Sequence, residues 1–180
     1  MSFWKRFPAY RQIVPVFALT VMLIYGWTMY RMLNKLPSWL LYLRPYEIIS
    51  NFSYALVFNF LECVLVTGLI VLAGALLPFH REKDEYFIAF GSALGLLGLG
   101  YLIYLTWQVG ASKANLFPWG VFAWSPFILA AILLAAFFIP RIKTIKVLLE
   151  AFADRTVIFL YLFLPFSALG LVILLVNNLF

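Results

Sequence analysis

Glu62 and Asn59 are the residues from which chemistry could start. They stand three positions apart inside the run Phe52–Phe79, FSYALVFNFLECVLVTGLIVLAGALLPF, which has 28 residues and one acid. About 20 apolar residues span a bilayer core, so this run is long enough to cross with some tilt. Glu62 then falls near mid-membrane, where a carboxyl costs roughly +2.5–3.5 kcal/mol on the insertion scale. The 16 Leu, Ile, Val and Phe residues of the run offset this by roughly −5 to −10 kcal/mol. Insertion is therefore secure, but the offset does not explain why the acid is there. Ionisable residues within a membrane are functional hypotheses by default.

On a helix, Asn59 and Glu62 share a face flanked by Phe58 and Val66. That spacing supports a site that takes up a proton or a cation, with Asn59 as the neighbouring ligand. It equally supports a Glu62 hydrogen-bonded between helices as packing glue. No Lys or Arg stands at matching depth to pair with it. The carrier reading gains nothing from internal repeats, since five spans do not divide into equal halves and Val14–Met32 resembles no later span. A homodimer would supply a second copy of the site.

The remaining reactive residue types form no constellation. His80 is the single histidine and lacks neighbouring ligands for a metal. Ser92 lies in FGSAL, without the GxSxG framing of a nucleophile elbow. Cys63 has no evident base and reads as a buried structural thiol. As the one Cys, it excludes an intramolecular disulfide and a CxxC pair. Asn51-Phe52-Ser53 fits the glycosylation pattern but lies at the membrane surface. Arg141, Lys143, Lys146 and Arg155 could meet anionic headgroups, or the phosphate of a lipid substrate. Enzymatic work on such a lipid would need carboxylates beside them. Glu82, Asp84, Glu85, Glu150 and Asp154 are available, but their spacing matches no metal motif. The sequence calls for no catalytic residue, metal or cofactor.

Composition sets the solvent for all of this. Apolar residues make up 66% of the chain and charged ones 11%. A water-soluble domain of 180 residues could not hide that much apolar surface, so lipid is the expected solvent. The net charge of +6 is spread over short connections, which suits membrane orientation better than nucleic-acid binding. The apolar run after Arg11 is too long for a cleavable signal and is expected to stay as the first span.

The elements follow in order. Ser2–Gln12 reads as an interfacial segment, with Pro15 at the start of a first span over 14–32. Leu36–Tyr46 is too short to cross, and Pro37 and Pro45 are expected to break it into a hairpin in the headgroup layer. Spans follow at 52–79, 86–107, 117–139 and 157–176. His80–Glu85 makes a tight turn, so the second and third spans should be antiparallel neighbours. The third carries Gly91, Gly95 and Gly98 on nearly one face, and the fourth carries Ala131 and Ala135. Such stripes allow close helix approach in lipid. Over 141–155, Ile142, Ile145, Leu148, Leu149 and Phe152 oppose Lys143, Lys146, Glu150 and Asp154, the pattern of an amphipathic helix in the membrane plane.

With the N-terminus cytoplasmic, nine Lys and Arg lie inside and four outside, the orientation favoured by the positive-inside rule. The expected fold is an all-α, polytopic transmembrane bundle of five spans plus one cytoplasmic amphipathic interfacial helix. It is expected in a bacterial inner membrane, with the C-terminus outside and anionic lipids against the cytoplasmic face. The leading expectation for function is a helix-packing subunit or scaffold, bound to another membrane protein or to its own copy. A proton-coupled carrier built on Glu62 and a lipid-modifying enzyme are the alternatives.

Overall fold

The computed structural model describes residues 7–76, 83–111 and 119–179. Among these, every regular element is helical: α1 (Tyr10–Tyr42), α2 (Pro45–Leu76), α3 (Lys83–Ala111), α4 (Trp119–Phe138), α5 (Lys143–Thr156) and α6 (Ile158–Leu179). A 3₁₀ turn, Ile139–Arg141, joins α4 to α5. Five stretches are long and apolar enough to cross a membrane, and the fifth, Lys143–Asn177, takes in both α5 and α6. A helix satisfies its own backbone hydrogen bonds, which is the condition lipid imposes on a spanning segment.

The first helix differs from its expected limits at both ends. It begins at Tyr10 rather than at Pro15, with Ala9 donating its N–H to Gln12 Oε1 at 3.2 Å. Pro15 lies buried inside the helix, where it removes one backbone bond without ending it. No headgroup hairpin forms over Leu36–Tyr46, because α1 runs through Pro37 to Tyr42. Proline removes a donor and crowds the carbonyl four residues earlier, yet membrane helices tolerate it where neighbouring groups satisfy the freed backbone. The chain turns at Leu43, whose backbone is extended. Arg44 precedes Pro45 and is therefore kept out of the helical region. Its N–H donates to Glu47 Oε2 at 2.7 Å, which caps the first turn of α2.

The bundle is organised around α1, which packs on α2, α3, α5 and α6. Val21, Ile24 and Tyr25 of α1 meet Cys63 of α2 and Leu99 of α3 in one buried cluster. Val16, Ile70 and Phe87 make a second. Gly74 faces Phe87, and Ile70 faces Gly91; rising numbers on one helix meet falling numbers on the other, so α2 and α3 are antiparallel neighbours as expected. Among the described residues, and beyond the 3₁₀ turn, α4 packs substantially only on α3.

Helix α5 lies against α1 and α3, turned from the expected wheel. Leu149, Ala153 and Thr156 are buried and Ile145 packs beside them. Ile142, Leu148 and Phe152 remain exposed.

Candidate functional site

Helix α2 carries the predicted pair but sends its members in different directions. Asn59 is buried, and its Oδ1 accepts a hydrogen bond from Thr28 Oγ1 of α1 at 3.0 Å. Glu62 is exposed and makes no hydrogen bond or ion pair among the described residues. Three residues along a helix amount to a rotation of about 60° short of a full turn. Here that rotation separates the packed side of α2 from its open side. Phe58 is exposed with Glu62, whereas Val66 is half-buried.

Glu62 borders a cleft of about 340 Å³ between α1, α2 and α3. Ile24, Trp27, Val66, Leu99 and Ile103 make much of its wall, and Glu62 is the single charged side chain lining it. Thr28 lines the same cleft while holding Asn59. It is thus the physical link between the two predicted residues. The arrangement can present a carboxyl to something entering from outside the bundle. The carboxyl and the Asn59 oxygen do not converge as two free ligands, because that oxygen is engaged by Thr28.

The small-residue stripe divides in a similar way. A Cβ on Gly91 would lie 2.9 Å from Val16 Cγ2 and 3.2 Å from Ile70 Cγ2, and one on Gly95 would lie 3.2 Å from Leu19 Cδ2. These two glycines let α3 approach α1 and α2. Gly98 has nothing within 4 Å of its Cβ position. On α4, Ala131 is exposed and Ala135 half-buried. The small residue turned inward is Ala136, packed with Ala89, Phe90 and Leu149.

Two positions that mattered were not singled out in the sequence. The Tyr25 hydroxyl of α1 donates to the Leu56 carbonyl of α2 at 3.1 Å and hydrogen-bonds Ser167 Oγ of α6. Ser167 also reaches the Phe163 carbonyl at 2.9 Å, and the Tyr25 and Phe163 rings lie 4.8 Å apart. One phenol therefore ties three helices. The available signal was a tyrosine in mid-span, since a buried phenol needs a partner for its O–H. Gly170 is the second: its Cβ position is 3.2 Å from the Ser53 carbonyl oxygen, so α6 meets the backbone of α2.

The other reactive types stay structural or lie outside the described residues. Cys63 is fully buried in the α1–α2–α3 cluster. Ser92 and Thr67 have buried hydroxyls without a hydrogen-bond partner among the described residues. His80 and Glu82 lie outside the described residues, as do the side chains of Asp84 and Glu85. Arg141, Lys143 and Arg155 are exposed, with the Arg141 guanidinium 4.7 Å from the Phe137 ring centre. Lys146 Nζ stands 4.5 Å from the Tyr86 ring centre. Among the described residues, no three His, Cys, Asp or Glu side chains gather to hold a metal. No family model, curated protein or solved structure matches this chain.

Proposed function

We propose that this chain is a non-catalytic subunit or scaffold of a membrane assembly. The observation that carries this reading is the openness of α4. Of its membrane-length window, 6% is buried inside the chain, against 44% for α1 and for α3. Trp124, Phe127, Leu134 and Phe138 all face outward, and Ala131 lies exposed among them. A small residue within a large apolar surface gives another helix a place for close approach. Native mass spectrometry after gentle extraction from the source membrane tests the reading. A stoichiometric membrane partner is expected, and a lone monomer or homodimer would count against it.

The finer placement belongs to the same proposal. The membrane is a bacterial inner membrane, with the N-terminus cytoplasmic and the C-terminus outside. Helix α5 rests near the cytoplasmic headgroups, where Arg141, Lys143, Lys146 and Arg155 meet anionic lipid. Cysteine labelling from either side of sealed vesicles, at Lys143 and at Asn177, tests this. Labelling of both from one side would sink it.

A second reading, a carrier built on Glu62 and Asn59, is favoured by the position of Glu62 at the α1–α2–α3 cleft. It requires Glu62→Gln to stop uptake in reconstituted vesicles while the protein remains folded. Unchanged uptake would remove it. The lipid-modifying enzyme has no comparable observation behind it.

A further inference from the structure

We infer that the exposed face of α2 around Glu62 receives a transmembrane helix of a partner protein that carries a Lys or Arg at matching depth. The inference rests on the subunit reading above and names the chemistry of the partner. Phe58, Leu61, Leu65, Leu69 and Leu72 are all exposed, at spacings of three and four that put them on one face of the helix. Glu62 stands within this face, about half-way along α2 (Pro45–Leu76). Gly68, also exposed, has nothing within 4 Å of its Cβ position and follows Leu61 and Leu65 by seven and three residues, so a second backbone can come close on the side of this face away from the acid. The face is therefore an apolar, helix-shaped surface with one acid in it.

The charge selects the occupant. An ionisable side chain at mid-bilayer is costly, and membrane proteins meet that cost by pairing it or turning it into a polar cavity. Among the described residues Glu62 has no hydrogen-bond or ion-pair partner, and no chain cation lines its cleft. The cleft walls are apolar apart from Thr28 and Thr106, which offers room for the methylene stem of a long basic side chain. A second copy of this chain would bring another acid to the same depth. A purely apolar helix would leave the carboxyl unpaired. A helix with one central cation satisfies both the surface and the charge.

The test uses the full chain in lipid vesicles and a host single-span leucine–alanine peptide carrying one central Lys, with association read by fluorescence transfer. The Lys peptide is expected to bind the wild type roughly tenfold more tightly than the same peptide with a central Leu. Glu62→Gln should remove that preference. Glu62→Lys should transfer it to a central-Glu peptide, a gain that a misfolded variant could not produce. Equal binding of the Lys and Leu peptides to the wild type would overturn the inference, as would undiminished Lys-peptide preference in Glu62→Gln. The subunit reading is judged separately by native mass spectrometry. A partner retained by Glu62→Gln leaves that reading standing and overturns this one; a partner lost by Glu62→Gln supports both.

Discussion

Helices α3 and α4 follow one another in the chain, and both carry small residues one helical turn apart. Gly91 and Gly95 of α3 stand against Val16, Leu19 and Ile70, at distances that leave no room for even a methyl group at Gly91. Ala131 of α4 stands exposed. A small-xxx-small pair therefore marks a surface fit for close packing without saying what does the packing. On α3 the occupant is α1, supplied by the same chain. On α4 the surface is left open among Trp124, Phe127 and Leu134. In lipid, apolar exposure carries no hydrophobic penalty, so an open helix face is stable until a better-fitting helix arrives.

The comparison breaks most sharply at Gly91. Gly91→Leu would drive a side chain into Val16 Cγ1 and Cγ2, 3.0 and 2.9 Å from the Cβ position. Both contacts are the short, β-branched arms of a fully buried residue, which cannot swing aside. Overpacking of this kind costs about 1–3 kcal/mol, occasionally more, and the upper end is expected here. Reversible unfolding in mixed micelles measures it. A loss below about 0.5 kcal/mol would mean that the α1–α3 seam is not the packed centre of the bundle.

Tyr25→Phe comes next, with an expected loss of about 1–2 kcal/mol. The ring stays in place, while the Leu56 carbonyl and Ser167 each lose the phenol. Ser167→Ala should cost less, because Tyr25 keeps its bond to Leu56. Equal losses from both would show that the Tyr25–Ser167 contact supplies the whole effect, and the Leu56 bond none of it.

Gly98→Ala continues the glycine stripe and should act in the opposite direction. Nothing lies within 4 Å of its Cβ position, so the helix gains up to about 1 kcal/mol of backbone preference without a clash. Destabilisation by Gly98→Ala would place Gly98 with Gly91 in the closed part of the stripe.

These positions show what the sequence could and could not carry. The long apolar helices were legible because lipid requires a run of apolar residues wherever a helix crosses, whatever packs beside it. The side of each helix that would be covered was not legible. Asn59 and Glu62 share a helical face in the coarse sense, yet the edge of the α1 contact falls between them. Gly95 and Gly98 part in the same way. Pro37 reads as a breaker, but the helix carries it, and the break comes at Leu43, two residues before Pro45. Tyr25 and Ser167 are 142 positions apart, and no local pattern connects them. On α5 the apolar positions were visible, while the part of that face taken up by α1 and α3 depended on where those helices lay.

The smallest expected effect on folding is at Ala131, and it is the one that bears most directly on function. Ala131 is exposed on a helix with little of its surface packed inside the chain. Ala131→Leu adds a side chain to open surface, so folding stability should stay within about 0.5 kcal/mol. The same change fills the shallow place where a partner backbone would approach, and assembly should fall while the monomer remains intact. Gly91→Leu is expected to do the reverse in kind, disturbing the monomer itself. Native mass spectra of the two variants, taken beside their unfolding curves, separate the roles. If Ala131→Leu keeps its partner and its stability together, α4 meets only lipid, and the search for the contact moves to the Glu62 face of α2.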